Sequence, residues 1–93
     1  MRVTPTLLFF TSRRDGRSRR AEGYLAQVLQ RRRNHDTFSV RKIDLEDRPD
    51  LLERFRVSEP PALVVVVDKR VRGRLEKPRS CTEIHQFLES WLR

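Results

Sequence analysis

Few residues in this chain are equipped for chemistry. One cysteine, Cys81, and two histidines, His35 and His85, occur in 93 residues. A single cysteine closes no internal disulfide, and one thiol with two imidazoles at these separations has no metal-ligand spacing, so no metal is expected. A second group lies in Arg13-Arg14-Asp15-Gly16-Arg17-Ser18, where a carboxylate and a hydroxyl stand three residues apart among arginines that continue through Arg19 and Arg20. If a helix starts here, its unpaired N–H groups and partial positive charge offer a site for an anion or a peptide carbonyl. Aspartate accepts hydrogen bonds from first-turn amides, so Asp15 reads as the helix cap and Ser18 as a solvated first-turn residue without a catalytic role. Cys81 falls in the first turn of another helix, after Lys77-Pro78-Arg79. A thiol beside arginine at a helix start is a candidate for redox or adduct-forming chemistry, and an inert packed thiol is the alternative. His35 and His85 read as surface or boundary residues.

The elements that must position these groups follow from the apolar pattern. Thr6–Phe10 is apolar on both sides of the alternation, as in a strand covered on both faces. A helix from Asp15 or Arg17 to Arg33 buries Tyr24, Leu25, Val28 and Leu29, with Arg31-Arg32-Arg33 suiting the negative end of its dipole. Phe38–Leu45 is a strand whose apolar residues change phase between Val40 and Ile43, which predicts a bulge or burial on two sides. Asp47-Arg48-Pro49-Asp50 starts a short helix with Leu51, Leu52 and Phe55 on its apolar face, the crossover that would make the first two strands parallel. Pro60-Pro61 restricts the chain to extended geometry before the β-branched run Ala62–Val67, a central buried strand. Asp68-Lys69-Arg70 turns the chain into an antiparallel edge strand, Val71–Leu75, with Arg70, Arg72 and Arg74 on its wet face. Ser80-Cys81-Thr82-Glu83 is a capping box, followed by Ile84, Phe87, Leu88, Trp91 and Leu92 at helical spacing.

The order β-α-β-α-β-β-α thus occupies residues 1–93 as a single α/β domain with a mixed four-stranded sheet and helices on both faces. A chain of this length buries only about 60 to 65% of its unfolded surface, enough for one core. No apolar stretch is long enough for a membrane span and Met1–Pro5 lacks the features of a signal peptide, so a cytoplasmic location without membrane contact is expected. The net charge is +8. Arginine supplies all of the 21 basic residues except Lys42, Lys69 and Lys77, a bias that a high-GC genome produces without selection. The cluster Arg13, Arg14, Arg17, Arg19 and Arg20 is different, because it opposes the dipole at a helix N-terminus. A solvated basic face and a binding surface both account for it.

The succession of an apolar strand, Arg14-Asp15-Gly16-Arg17-Ser18, a helix and then Val57-Ser58-Glu59-Pro60-Pro61-Ala62-Leu63 resembles the thioredoxin family in its short form. That family carries Trp-Cys-Gly-Pro-Cys at the strand-to-helix turn and a cis-proline before a later strand. The resemblance places Arg14 on the tryptophan, Asp15 and Ser18 on the cysteines, Pro61 on the cis-proline, Phe9 on the buried proton-relay aspartate and Gly23 on a helix-kinking proline. It spans Thr6 to Leu92 and omits the N-terminal strand and helix of a full-length thioredoxin. Ile43-Asp44-Leu45, Pro49-Asp50-Leu51 and Pro61-Ala62-Leu63 also resemble short motifs of KaiB-like clock proteins. Disulfide exchange requires a thiolate that neither carboxylate nor hydroxyl replaces, so the resemblance implies the scaffold without its redox chemistry or any cofactor.

Three functions remain open from the residues. The first is a module that binds a protein or peptide, with an acidic one favoured by the arginines, through Arg14, Asp15, Gly16, Arg17, Ser18, Glu59, Pro60, Pro61, Ala62 and the segment Lys77–Ser80, which includes Arg79. The backbone beside a cis Pro61 would supply strand-like pairing. The second is a thiol-dependent or glutathione-like-ligand protein that uses Cys81. The third is nucleic-acid binding through the arginine cluster. A monomer or weak dimer is expected.

Overall fold

The run Thr6–Thr11 forms β1, and a computed structural model that describes residues 4–30 and 38–91 shows why every residue of its centre is apolar. Leu7 and Phe9 point into one core cluster, Leu8 and Phe10 into another, and all four are buried. The remaining elements are α1 (Gly16–Leu29), β2 (Ser39–Asp44), α2 (Pro49–Arg54), β3 (Ala62–Val67), β4 (Arg70–Glu76) and α3 (Cys81–Leu88). The sheet order is β2-β1-β3-β4, with β1 parallel to β2 and antiparallel to β3, and β3 antiparallel to β4. Alternation along β1 and β3 therefore feeds two layers. Leu7, Phe9, Leu63 and Val65 pack against Ala21, Leu25 and Val28 of α1 and Ile84 and Leu88 of α3. Leu8, Phe10, Ala62 and Val64 pack against Leu52 and Val57. Each large side chain so buried contributes roughly 1.5–3 kcal/mol relative to exposure.

The crossover between the parallel strands is α1, because it is the element between β1 and β2; the short helix α2 instead connects β2 to β3. Its Pro49 occupies the first turn, where a missing N–H costs nothing. Its end is a Schellman motif: Arg56 has φ 57°, the Val57 N–H donates to Leu52 O at 2.8 Å and the Arg56 N–H to Glu53 O at 3.1 Å. Leu52 and Val57 meet in the same core cluster, which is the hydrophobic contact that such an end requires.

No bulge interrupts β2, whose register with β1 runs unbroken from Thr6↔Ser39 to Thr11↔Asp44. The phase change reflects burial on two sides: Phe38 joins the α1/α3 layer, and Ile43 and Leu45 join the α2 layer. The irregularity lies between β3 and β4, where Val65 pairs with Gly73 and Val66 with Val71, leaving Arg72 as the extra residue. Consequently Arg70 and Arg74 do not share one face, although Arg70, Arg72 and Arg74 are all exposed. Asp68 and Lys69 both have positive φ, at 51° and 66°, in the two-residue turn between Val67 and Arg70.

The first helix ends at Leu29 with Gln30 as its C-cap. Arg31, Arg32, Arg33 and His35, and Leu92 of the last stripe, lie outside the described residues. The Ser80 Oγ accepts from the Glu83 N–H at 3.1 Å, and the Glu83 carboxylate reaches back to the Arg79 N–H at 2.9 Å. Among the described residues no helix is long and apolar enough to cross a membrane.

Candidate functional site

The turn after β1 is built around two residues, Ser18 and Glu46. Ser18 is 1% exposed rather than solvated, and its Oγ accepts a hydrogen bond from the Ser12 N–H at 3.0 Å. The Ser12 hydroxyl donates to Glu46 Oε2 at 2.8 Å, and the Arg13 N–H donates to Glu46 Oε1 at 2.9 Å. These bonds, first from the Arg13 amide and then from the Ser12 hydroxyl, hold the Glu46 carboxyl below the usual glutamate range. The Arg13 guanidinium pairs with Asp47 at 3.0 Å. One wall of the site is thereby tied to the β2–α2 turn.

Asp15 caps α1: its Oδ1 accepts from the Arg17 N–H at 2.9 Å, and the Arg17 guanidinium returns at 3.3 and 3.2 Å to the two carboxylate oxygens. The Arg17 side chain, followed by its amide, holds the Asp15 carboxyl below its ordinary value. The helix N-terminus thus has an anion of its own, Asp15, at the place where an external one was expected. Phe9, at the position of the relay carboxylate in the resemblance, is a buried core residue.

The Pro60–Pro61 peptide bond is cis and both prolines are buried. The Pro61 carbonyl accepts from the Lys77 N–H at 2.7 Å, while the Lys77 ammonium meets Glu59 at 2.8 Å. The ammonium lowers the pKa of Glu59. Arg17 approaches the same carboxylate at 4.0 Å, so an ion chain Asp15–Arg17–Glu59–Lys77 links three loops. Pro60 has no N–H. The strand-like pairing expected of Pro61's neighbour is therefore reduced to an acceptor, and recognition at this place falls to side chains.

Beside the ion chain lies a hollow of about 250 Å³ lined by Arg17, Arg20, Tyr24, Pro61, Lys77, Pro78 and Arg79. Of the residues expected in the site, Arg17, Pro61, Lys77, Pro78 and Arg79 line it. Arg14, Asp15, Gly16, Glu59 and Pro60 lie outside the lining, and Ser18 and Ala62 are buried, Ala62 as the Phe10 and Glu76 partner within the sheet. The groove expected from the sequence left out Arg20 and Tyr24. The signal for both was spacing: Arg17, Arg20 and Tyr24 stand at i, i+3 and i+7 on one face of α1. Among the described residues, Arg20 and Arg79 make no side-chain hydrogen bond or ion pair, whereas Arg17 and Lys77 do.

Cys81 belongs to a different hollow, of about 230 Å³, with Gln27, Val28, Thr82 and His85. Its thiol donates to Gln27 Oε1 at 2.8 Å. The arginine cluster is likewise divided, since Arg13 and Arg17 are matched by carboxylates. Among the described residues no group of His, Cys, Asp and Glu could hold a metal ion.

No protein-family model matches the sequence, and neither does any curated protein. Solved structures do match. Trxlp from Edwardsiella tarda superposes with a TM-score of 0.81 at 21% identity, over 91% of this chain and 82% of that one. Thioredoxin-2, a component of the malaria parasite protein secretion machinery, gives 0.82 at 16% identity, over 97% and 85%. Mitochondrial thioredoxin 3 from Saccharomyces cerevisiae gives 0.79 at 16%, over 96% and 80%. The chain has a thioredoxin-like fold.

Proposed function

We propose that the protein is a binding module without disulfide-exchange activity, holding a carboxylate-bearing protein or peptide segment in the hollow between α1, the Pro60–Pro61 loop and the β4–α3 loop. The observation that carries this reading is the lining: four cations together with Tyr24, Pro61 and Pro78, and no carboxylate among the residues that line it. Arg20 and Arg79 retain guanidinium forks for a partner, and an arginine fork matches carboxylate geometry with two parallel hydrogen bonds. The loss of thiol chemistry is supported by Asp15 and Ser18, whose oxygens are committed to Arg17 and to the Ser12 amide. Cys81 has no second cysteine to resolve a mixed disulfide.

An NMR titration of the labelled protein with hexaglutamate tests the reading. Amide shifts are expected at Arg20, Tyr24, Lys77 and Arg79, and Arg20→Ala with Arg79→Ala should weaken binding by about 1–3 kcal/mol. Insulin reduction with dithiothreitol should stay at background. Turnover that disappears in Cys81→Ser would instead establish the thiol-dependent function. Tighter binding of oligothymidylate than of hexaglutamate, with a steep salt dependence lost in the same arginine variants, would establish the nucleic-acid one.

A further inference from the structure

A second surface, remote in the fold from the groove just described, carries a separate inference. Among the described residues β2 is an edge strand. The Ser39 N–H donates to Pro5 O at 2.9 Å and the Leu45 N–H to Thr11 O at 2.8 Å, which sets the parity of the parallel ladder: odd-numbered residues of β2 direct their backbone groups at β1. The N–H and C=O of Val40 and Lys42 therefore face away from the sheet. Val40 is also 45% exposed. On the α2 side of this edge lies a hollow of about 650 Å³, its apolar wall made by Leu8, Ile43, Leu51 and Phe55; its charged residues are four cations, Arg41, Lys42, Arg48 and Arg54, and two carboxylates, Asp44 and Asp47, the latter paired with Arg13 at 3.0 Å. The other cations of that hollow are committed, Lys42 to Glu22 at 2.8 Å and Arg48 to Asp50 at 3.1 Å. Among the described residues, the side chains of Arg41 and Arg54 make no hydrogen bond or ion pair.

We propose that the outer edge of β2 accepts an extended acidic segment of a partner protein as an additional strand. Val40 and Lys42 supply the main-chain pairing, the hollow takes alternate apolar side chains, and Arg41 and Arg54 receive carboxylates. A second copy of this chain fits poorly: with Val40 and Lys42 outward, a two-fold antiparallel pairing near the middle of Ser39–Asp44 is centred on Arg41 or on Lys42, either of which sets that cation against its own copy, and like charges directly opposite repel. Nucleic acid would match the arginines but leave the outward amides and the apolar wall without partners.

The probe is the synthetic peptide acetyl-Glu-Thr-Phe-Thr-Val-Thr-Glu-amide, whose alternation puts phenylalanine and valine between two carboxylates on one face. With ¹⁵N-labelled protein, saturating peptide should shift the Val40 and Lys42 amides and slow their hydrogen exchange. Arg41→Glu with Arg54→Glu should weaken binding at least about tenfold, the scale of one lost charge-assisted pair. Val40→Pro removes only an outward N–H, which edge strands tolerate, and should abolish the protection at Lys42 while the Arg41 and Ile43 amides stay protected. Shifts confined to Arg20, Tyr24, Lys77 and Arg79 would overturn the edge proposal and leave the groove reading intact. Equal binding of the peptide with lysines in place of its glutamates, concentration-dependent self-association through β2, or shifts at Arg41 and Arg54 with oligothymidylate alone would each overturn it as well.

Discussion

Replacing Ser18 by alanine probes the hydrogen bond that holds the turn ahead of α1. The hydroxyl is buried and accepts from the Ser12 N–H at 3.0 Å, and Ser12 is itself only 8% exposed, so water cannot readily replace the lost acceptor. Leaving such a donor unsatisfied costs about 1–3 kcal/mol. Alanine's better helix propensity offsets about 0.5 kcal/mol of that. The net loss is therefore about 1.5 kcal/mol, which in a domain of this size lowers Tm by about 6–12 °C. Urea melts of Ser18→Ala against wild type measure the loss, and Arg19→Ala, an exposed neighbour in the same turn, serves as the control. Hydrogen exchange at the Ser12 amide locates it: that amide should be slow in wild type and fast in the variant. A loss below about 0.5 kcal/mol, no larger than an ordinary surface change, together with a Ser12 amide that stays slow, would refute the reasoning.

Gly73 and Gly23 should respond in opposite directions. A Cβ at Gly73 would lie 3.1 Å from Phe87 Cε1, so Gly73→Ala should destabilise by about 1–3 kcal/mol; at Gly23, within α1, nothing lies within 4 Å, and Gly23→Ala should stabilise by about 0.5–1 kcal/mol in the same melts. The turn at Asp68-Lys69 places two non-glycine residues at positive φ, so the double change to Asn-Gly should raise stability by roughly 1 kcal/mol without altering the β3–β4 register seen by NMR. Asp15, Glu46, Asp50 and Glu59 all titrate below their ordinary values in the folded chain, because of Arg17, the Arg13 amide, Arg48 and Lys77 respectively. The unfolded chain then binds more protons in acid. Stability should be fully present above the ordinary carboxylate range and decline as pH falls through it toward the folded values, with Glu46→Gln flattening that decline in Tm-versus-pH curves.

Much of the architecture was legible from neighbours along the chain. The apolar runs Thr6–Phe10 and Ala62–Val67, the Asp15 and Ser80 caps and the Pro49 helix start depend on interactions within one strand or one helical turn. These remain readable before anything folds, because alternation, capping and proline geometry are local. The charge of +8, the solitary Cys81 and the absence of a cysteine pair at Asp15 and Ser18 needed no structure.

The composition of the site was decided by contacts between distant segments. Ser12 and Glu46 are 34 residues apart, and no periodicity reveals that a carboxylate after β2 will fasten the turn after β1 until parallel pairing aligns Thr11 with Asp44. The same pairing leaves Val40 and Lys42 on the open edge of the described sheet. Packing of α1 beside the Pro60–Pro61 loop turns Arg20 and Tyr24 toward Lys77 and Arg79, while Cys81 falls on the side of α3 that faces Gln27. The Arg72 bulge separates Arg70 from Arg74 although the sequence alternates evenly. A polar side chain's role is set by which partner the topology brings within about 3 Å, and that distance is a property of the assembled sheet.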